Sequence, residues 1–339
     1  MVLTTADVGR RIVLRRRIGV EGGRTVYGDV LGVLEDWTKG TDGASAGGRD
    51  DVLTVRRKDG SVESVAWSTV VAGKIVPPPR SPLTGTGLAR AVVQSWPALH
   101  TRRLGDWLLQ SSENFTGRAN SALPGTDPGM PLDAALQAVH TFYAEVGQHP
   151  VIRATMDDPL EAELAARGWA CRGGGRAPWV DFMVGPVAEV LSRLARSGTV
   201  PDVPVDLDGP LDDAWVRAYG HSGQVTAAVR HVLGGDGSVP VALARIPDPA
   251  VEGGLAGVAR ATVTGPWLGL AAITVAPERR RRGLASALMS AGISWGAKHG
   301  ARWIQLQVSG DNVPAKTLYE RLGFVTDHRY RYWVPGDAA

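Results

Sequence analysis

ITVAPERRRRGLASALM, residues 273–289, is the stretch on which the reading of this chain turns. An apolar strand ends at Pro277, a basic turn follows, and an amphipathic helix begins just after Gly283. The first turn of a helix carries backbone N–H groups with no internal partner. The macrodipole places roughly half a positive charge at that end, worth about 0.3–1 kcal/mol to an anion. Gly283 and Ala285 have little or no side chain, so a phosphate can come close to the backbone. Arg280, Arg281 and Arg282 add positive field. A strand feeding such a turn is the geometry of a pyrophosphate cradle. A nucleotide site is the generic alternative, but the chain has neither G-x-G-x-x-G nor a G-K-[ST] loop at this point.

Some thirty residues on comes NVPAKTLYERLGF, residues 312–324. The pattern Arg280-x-x-Gly283-x-Ala285 behind a Val-x-Pro strand end resembles the acetyl-CoA loop of the GNAT superfamily, and the second stretch resembles that family's other landmark. The resemblance implies an acetyl-CoA-dependent N-acetyltransferase, with acetyl-CoA as co-substrate and a primary amine as acceptor. Backbone amides of Arg281, Arg282, Gly283, Leu284 and Ala285 would hold the pyrophosphate, with Arg280 beside them. Main-chain groups of Ile273, Thr274 and Val275 would run along the pantetheine arm. Asn312 and Ala315 would border that arm, and Tyr319 would protonate the departing thiolate. Core packing one turn from Ala315 is the plainer reading of Tyr319.

The reaction needs a neutral amine. Holding a lysine-like ammonium of pKa about 10.4 neutral at pH 7 costs about 4.6 kcal/mol, which a general base usually lowers. Many GNAT enzymes place a Glu on the strand before the loop, whereas WLGLAAITVAP, residues 267–277, has no acid. The base stays unassigned among Glu252, Asp311, His221 and Glu113. ENFTGRANSALP, residues 113–124, reads as polar and strand-like, and its Arg118 and Asn120 are candidates to seat a substrate carboxylate. Trp215 and Tyr219 lie one turn apart on a helix, with core packing the plainer reading of Trp215.

Working outward, the stretch before the loop reads as helix LDDAWVRAYG and strands VPVALARI, GLAGVARATV and WLGLAAITVAP. After it come a strand (RWIQLQVS), a helix (VPAKTLYERLG) and a terminal strand (DHRYRYWV). Residues 126–169 repeat this order: turn, long helix, strand, loop, short helix, Gly-aromatic. Gly129 and Gly168 sit where Gly283 and Gly323 sit, so two copies of one α/β unit are expected. Only the second has the basic loop. Residues 1–76 alternate with period two in five short runs, KDGS (58–61) marking a tight hairpin. They resemble an SH3-like barrel, and Arg15, Arg16 and Arg17 read as a solvated face. The stretch 40–51 has no apolar anchor and is expected to be a mobile loop.

The expected fold is therefore α+β: a small SH3-like β-barrel (1–76), a Pro-rich linker (77–87), a degenerate GNAT-like half (88–190), a second linker (191–209) and a catalytic GNAT domain (210–335) with a mixed central sheet flanked by helices. The whole layout resembles bacterial GNAT proteins described as N-acetylglutamate synthases or as histone-acetyltransferase-like. Three functions stay open: acetylation of the α-amine of glutamate or a related amino acid, acetylation of protein lysine with the barrel recruiting the substrate, and acyl-CoA sensing without turnover. The chain has 339 residues, 44% of them hydrophobic, a net charge of +3 and one cysteine, Cys171. One cysteine allows no internal disulfide and fits a reducing, cytoplasmic compartment. No signal peptide or run of roughly 20 apolar residues marks a membrane protein. No motif calls for a metal, and so small a charge excess gives no clear nucleic-acid signal.

Overall fold

A computed structural model describes residues 3–40, 51–57, 59–76, 82–173, 179–220 and 224–336. Most of the expected 40–51 loop, Lys58 of the KDGS hairpin, much of the Pro-rich linker and His221 lie outside these residues. The chain divides into two compact units, Met1–Arg80 and Ser81–Ala339. No helix in the described residues is long and apolar enough to cross a membrane.

The first unit is a five-stranded antiparallel sheet. Its strands are β1 (Arg11–Glu21), β2 (Arg24–Thr38), β3 (Val52–Arg56), β4 (Val62–Ala66) and β5 (Val70–Ile75), in the order β4-β3-β2-β1-β5. Period-two alternation turns Ile12, Leu14, Val30, Leu34, Leu53, Val55 and Val65 into one core. The edge strands β4 and β5 do not pair in the described residues, so the five expected strands are present as an open sheet rather than a closed barrel. Of the three arginines expected to be solvated, Arg16 instead pairs with Glu63.

The second unit begins with α1 (Gly85–Ala91) and a hairpin of β6 (His100–Leu104) and β7 (Trp107–Ser111). The first repeat follows: α2 (Leu132–Glu145), β8 (Ile152–Thr155), α3 (Pro159–Ala166) and β9 (Trp169–Cys171). After β10 (Trp179–Pro186) and α4 (Val187–Arg196) come α5 (Asp213–Tyr219), α6 (Ala227–Gly234), β11 (Val241–Pro247), β12 (Leu255–Thr264) and β13 (Trp267–Val275). The second repeat is α7 (Leu284–Lys298), β14 (Trp303–Ser309), α8 (Val313–Arg321) and β15 (Val325–Pro335). Gly129, Gly168, Gly283 and Gly323, the landmarks of the sequence echo, all have positive φ. The parallel pairing of β13 with β14 has its counterpart in a parallel bridge from Ala122 to Ile152.

The repeats do not form separate sheets, as the boundaries at 190 and 210 implied. One mixed sheet runs β11-β12-β13-β14-β10-β15-β8, with β9 also on β15. Strand β10 leaves the first repeat and lies between β14 and β15 of the second. In return, the end of β15 lies between β8 and β9 of the first. Each repeat thus completes the other's sheet. The segment expected as a linker from 191 begins inside α4, whose Val187, Val190 and Leu194 pack into the core. Helix α7 lies close on the sheet because its inner face is small: a Cβ at Gly296 would come 2.7 Å from Leu268.

Asp181 holds the exchanged strand. Its fully buried carboxylate on β10 accepts from Lys316 of α8 at 2.7 Å and from Arg329 of β15 at 2.8 Å. Burial alone would raise its pKa, but these hydrogen bonds outweigh burial and hold it below the usual carboxylate range. A depressed pKa stabilises the fold above the unfolded value of about 3.9, and that contribution disappears as pH falls through the lower folded value. Asp181→Asn should therefore flatten the dependence of stability on pH below about pH 4 in urea titrations. A fragment of residues 198–339 keeps the basic loop but lacks β10 and should show no cooperative unfolding by circular dichroism.

Candidate active site

Strands β13 and β14 pair from Trp267↔Trp303 to Leu270↔Leu306 and then part. Beyond that point β14 stays with β10 as far as Ser309, and β13 stays with β12 as far as Val275. A bulge on β13 accompanies the parting. Its register on β12 shifts between Arg260↔Ala271 and Val258↔Thr274, and Ala272 sits at φ 55°. The Ala276 N–H bonds Ala256 at 2.9 Å. By the alternation of an antiparallel ladder, Val275 therefore turns its polar groups the other way, into the gap. Its carbonyl accepts from Arg280 Nε at 3.2 Å.

The gap opens between two faces of the sheet. On the helical face, Leu270, Leu306, Val308, Met289 and Tyr319 form one cluster, with Ile273 and Ala315 packed against it. On the opposite face, Ala271 and Ala272 pack against the cluster of Trp96, Ala119, Trp215 and Val258. Tyr319 is 8% exposed and its hydroxyl bonds no described residue. Burial pushes that hydroxyl's pKa up to about 12, so it carries its proton at neutral pH.

The basic turn is open. Arg280, Arg281 and Arg282 are exposed and join no ion pair among the described residues, while Arg279 is held by Asp248 at 2.7 Å. Arg281 and Gly283 both have left-handed backbone, at φ 63° and 77°. Helices α5, α6 and α8 are capped by the side chains of Asp212, Thr226 and Asn312, whereas α7 has no side-chain cap. The first amide to bond back is that of Ala287, to Gly283 O at 3.0 Å. The N–H groups of Leu284, Ala285 and Ser286 thus find no acceptor among the described residues. One expectation needs correcting. Gly283 is not bare in order to admit a phosphate, because a Cβ there would lie 2.0 Å from the carbonyl oxygen of Thr199. Asn312 is exposed, and its Oδ1 accepts from Ala315 N at 3.3 Å, so it caps α8.

On the opposite face, Arg118 and Asn120 separate in role. Residues 113–124 are not a strand. Glu113, Asn114 and Thr116 have positive φ, and a short 3-10 turn spans Arg118–Asn120. Asn120 is the clasp of that loop, not a substrate contact. It accepts from Ser112 N at 2.7 Å and Asn114 N at 3.1 Å and donates to Phe115 O and Thr116 O at 2.7 Å. Arg118 instead stacks 4.3 Å from the ring centre of Trp96. It lines a small cavity with Ser95, Trp96, Gln110, Arg153 and Gln307. Trp215 is fully buried and donates to Ala244 O at 3.2 Å, a core role. The proposed bases Glu252, Asp311 and Glu113 do not line the cavity.

The sequence reading passed over two further guanidiniums. Arg260 stands in the apolar run of β12, lies 5.1 Å from the Trp96 ring centre and is fully buried. It donates to Leu233 O and Ser95 O, and its Nη2 has no partner. Arg153, on β8, lies 5.5 Å over Tyr330 and leaves Nε unpaired. None of the three arginines forms an ion pair with a described residue. Burial lowers the pKa of Arg118 and brings that of Arg260 down to about 9. An Arg inside an otherwise apolar strand was the available signal for Arg260.

A family model described as "Probable histone acetyltransferase Rv0428c C-terminal" matches residues 86–333, and the chain belongs to that family. An uncharacterised N-acetyltransferase of Bacillus subtilis (strain 168), YobR, is 24% identical over 258 residues, 72% of this chain and 96% of that protein. A mycothiol acetyltransferase of Clavibacter sepedonicus is 39% identical over 83 residues, which cover 24% of this chain and only 27% of that relative. Among solved structures, a GCN5-related N-acetyltransferase from Kribbella flavida shares the fold at a TM-score of 0.52. It is 16% identical, with 73% of this chain and 92% of that one covered. The protein is an N-acetyltransferase of the GNAT type.

The structural role of Asn120 is testable. Asn120→Ala removes four hydrogen bonds, one of them to the buried Ser112 N–H, at about 1–3 kcal/mol for a buried group left uncompensated. It should lower the midpoint of urea unfolding, whereas Arg118→Ala should leave that midpoint nearly unchanged.

Proposed function

We propose that the enzyme transfers an acetyl group from acetyl-CoA to the α-amine of glutamate or a related amino acid. The donor half of this reading rests on the open turn. Three unpaired amides at the start of α7, with the exposed guanidiniums of Arg280, Arg281 and Arg282, suit a pyrophosphate. The gap edge of Ile273, Thr274 and Val275 suits the amides of pantetheine. Asn312 and Ala315 border the far side at the start of α8. Tyr319, neutral and without a partner, is the acid for the thiolate. The amine attacks the thioester carbonyl, the C–S bond breaks, and the sulfur takes the Tyr319 proton. The tyrosinate is then reprotonated by the proton leaving the new amide nitrogen.

One observation carries the acceptor half: a small cavity on the opposite face lined by Arg118 and Arg153, with Arg260 buried against Trp96 and none of the three in an ion pair with a described residue. Buried cations without counter-charge favour an anionic ligand. A carboxylate on Arg118 would bring an α-amine to the gap. The second reading, protein lysine, is favoured by the name of the family. It would bring a lysine, with its basic neighbours in a histone-like sequence, against an already cationic site. The first unit would then serve recruitment. The order β4-β3-β2-β1-β5, with a 3-10 turn at Trp67–Thr69 before β5, supports an SH3-like reading of that unit. A cytoplasmic location is part of the same proposal.

Release of free thiol from acetyl-CoA in the presence of L-glutamate tests this. Arg118→Ala should raise the glutamate KM at least tenfold and leave the acetyl-CoA KM alone. Tyr319→Phe should lower kcat about a hundredfold, the lower range for a lost general acid. Turnover of lysine peptides but not glutamate, indifferent to Arg118, would overturn the acceptor assignment.

A further inference from the structure

The strand that often carries a general base in this family has none here. The acceptor face answers the need in another way. The cavity is lined by Arg118 from the 3-10 turn and Arg153 from β8, and Arg260 from β12 packs against the same Trp96 ring as Arg118. Tyr219 of α5 and Tyr330 and Tyr332 of β15 act electrostatically on Arg118. Tyr330 donates to Gln307 Oε1 at 2.7 Å. Strand β14 contributes only the amides of Gln305 and Gln307. No carboxylate or imidazole is among these groups. Asp236 acts on Arg260 only through space, and Asp181 is already bonded to Lys316 and Arg329.

We infer that the cluster of Arg118, Arg153 and Arg260 takes the place of a general base by making the acceptor site too positive for an ammonium. A like charge close by in a site of low dielectric disfavours the charged form of a titrating group. A nearby cation is a recognised means of activating an amine nucleophile. The two carboxylates of glutamate offset two guanidiniums and leave one unmatched. The ammonium therefore gives its proton to solvent on binding, and its lone pair is free to attack. Burial is the main cause of the lowered pKa of Arg260, and the charge of Arg118 adds to it. Arg153 and Arg260 act through this field and are positioning residues.

The inference rests on the amino-acid acceptor proposed above, and two measurements on the full-length protein separate the two. The first is calorimetry of L-glutamate binding at pH 7 in buffers of different ionisation enthalpy. It should show about one proton released per site, and clearly less for Arg260→Gln. The second is the pH dependence of kcat, which reports the groups of the bound complex. Its acid limb should move up by about one unit in Arg260→Gln, as expected for one nearby charge, and stay in place in Arg260→Lys. Arg153→Gln provides the same test if the Arg260 variant does not fold. Glutamate that is acetylated without proton release, with an acid limb unmoved in both glutamine variants, overturns the field mechanism alone. Glutamate that neither binds nor turns over overturns the acceptor reading and this inference together.

Discussion

A sheet does not open in its middle without cause. Every central strand has backbone groups that must be paired, and an unpaired buried N–H or carbonyl is expensive. The bulge at Ala272 is what parts β13 from β14. It keeps β13 on the buried β12 and lets its other edge leave β14. Everything else at the site follows from that gap. Tyr319 lies on one face of it and the arginine cavity on the other. The basic turn lies at the end of the strand that turned away.

The exchange of strands supplies what the gap removes. Having left β13, β14 needs a partner along its full length, and β10 provides one from Val180 to Pro186. That partner belongs to the first repeat, and β15 returns the loan by completing the first repeat's sheet. The degenerate repeat is thus no passive neighbour. It contributes Arg118 and Arg153 to the arginine-lined cavity. Its lack of the basic turn leaves this structural contribution intact.

The sequence showed most of the local structure around the loop. Apolar spacing marked α7, and the two glycine pairs marked the repeat because a left-handed turn tolerates few other residues. Helix α8 was visible in VPAKTLYERLG, but the capping role of Asn312 was not. What stayed hidden was pairing between distant segments. Nothing in PWVDFMVG says that it will sit between two strands more than a hundred residues further on. Asn120 misled for a related reason. A polar side chain in a polar loop looks free in sequence, and only the fold shows its four hydrogen bonds. Gly283 was placed well, but the close approach that demands it comes from Thr199, which no local pattern could reveal.

Asp181 and the arginine cavity are opposite solutions to one electrostatic problem. At Asp181 a buried carboxylate meets two cations, so the folded protein is complete by itself, and the arrangement serves to fix β10. Around the cavity three arginines form no ion pair with a described residue, and two of them keep a buried nitrogen without a partner. A group left so would be selected against if its only task were stability, because hydrophobic residues of similar volume hold a core at least as well. Uncompensated charge is tolerable where something else supplies the missing partner for part of the time. An acceptor that arrives with a carboxylate, reacts and leaves is such a partner. The same imbalance that makes the empty cavity costly gives the bound amine a reason to lose its proton.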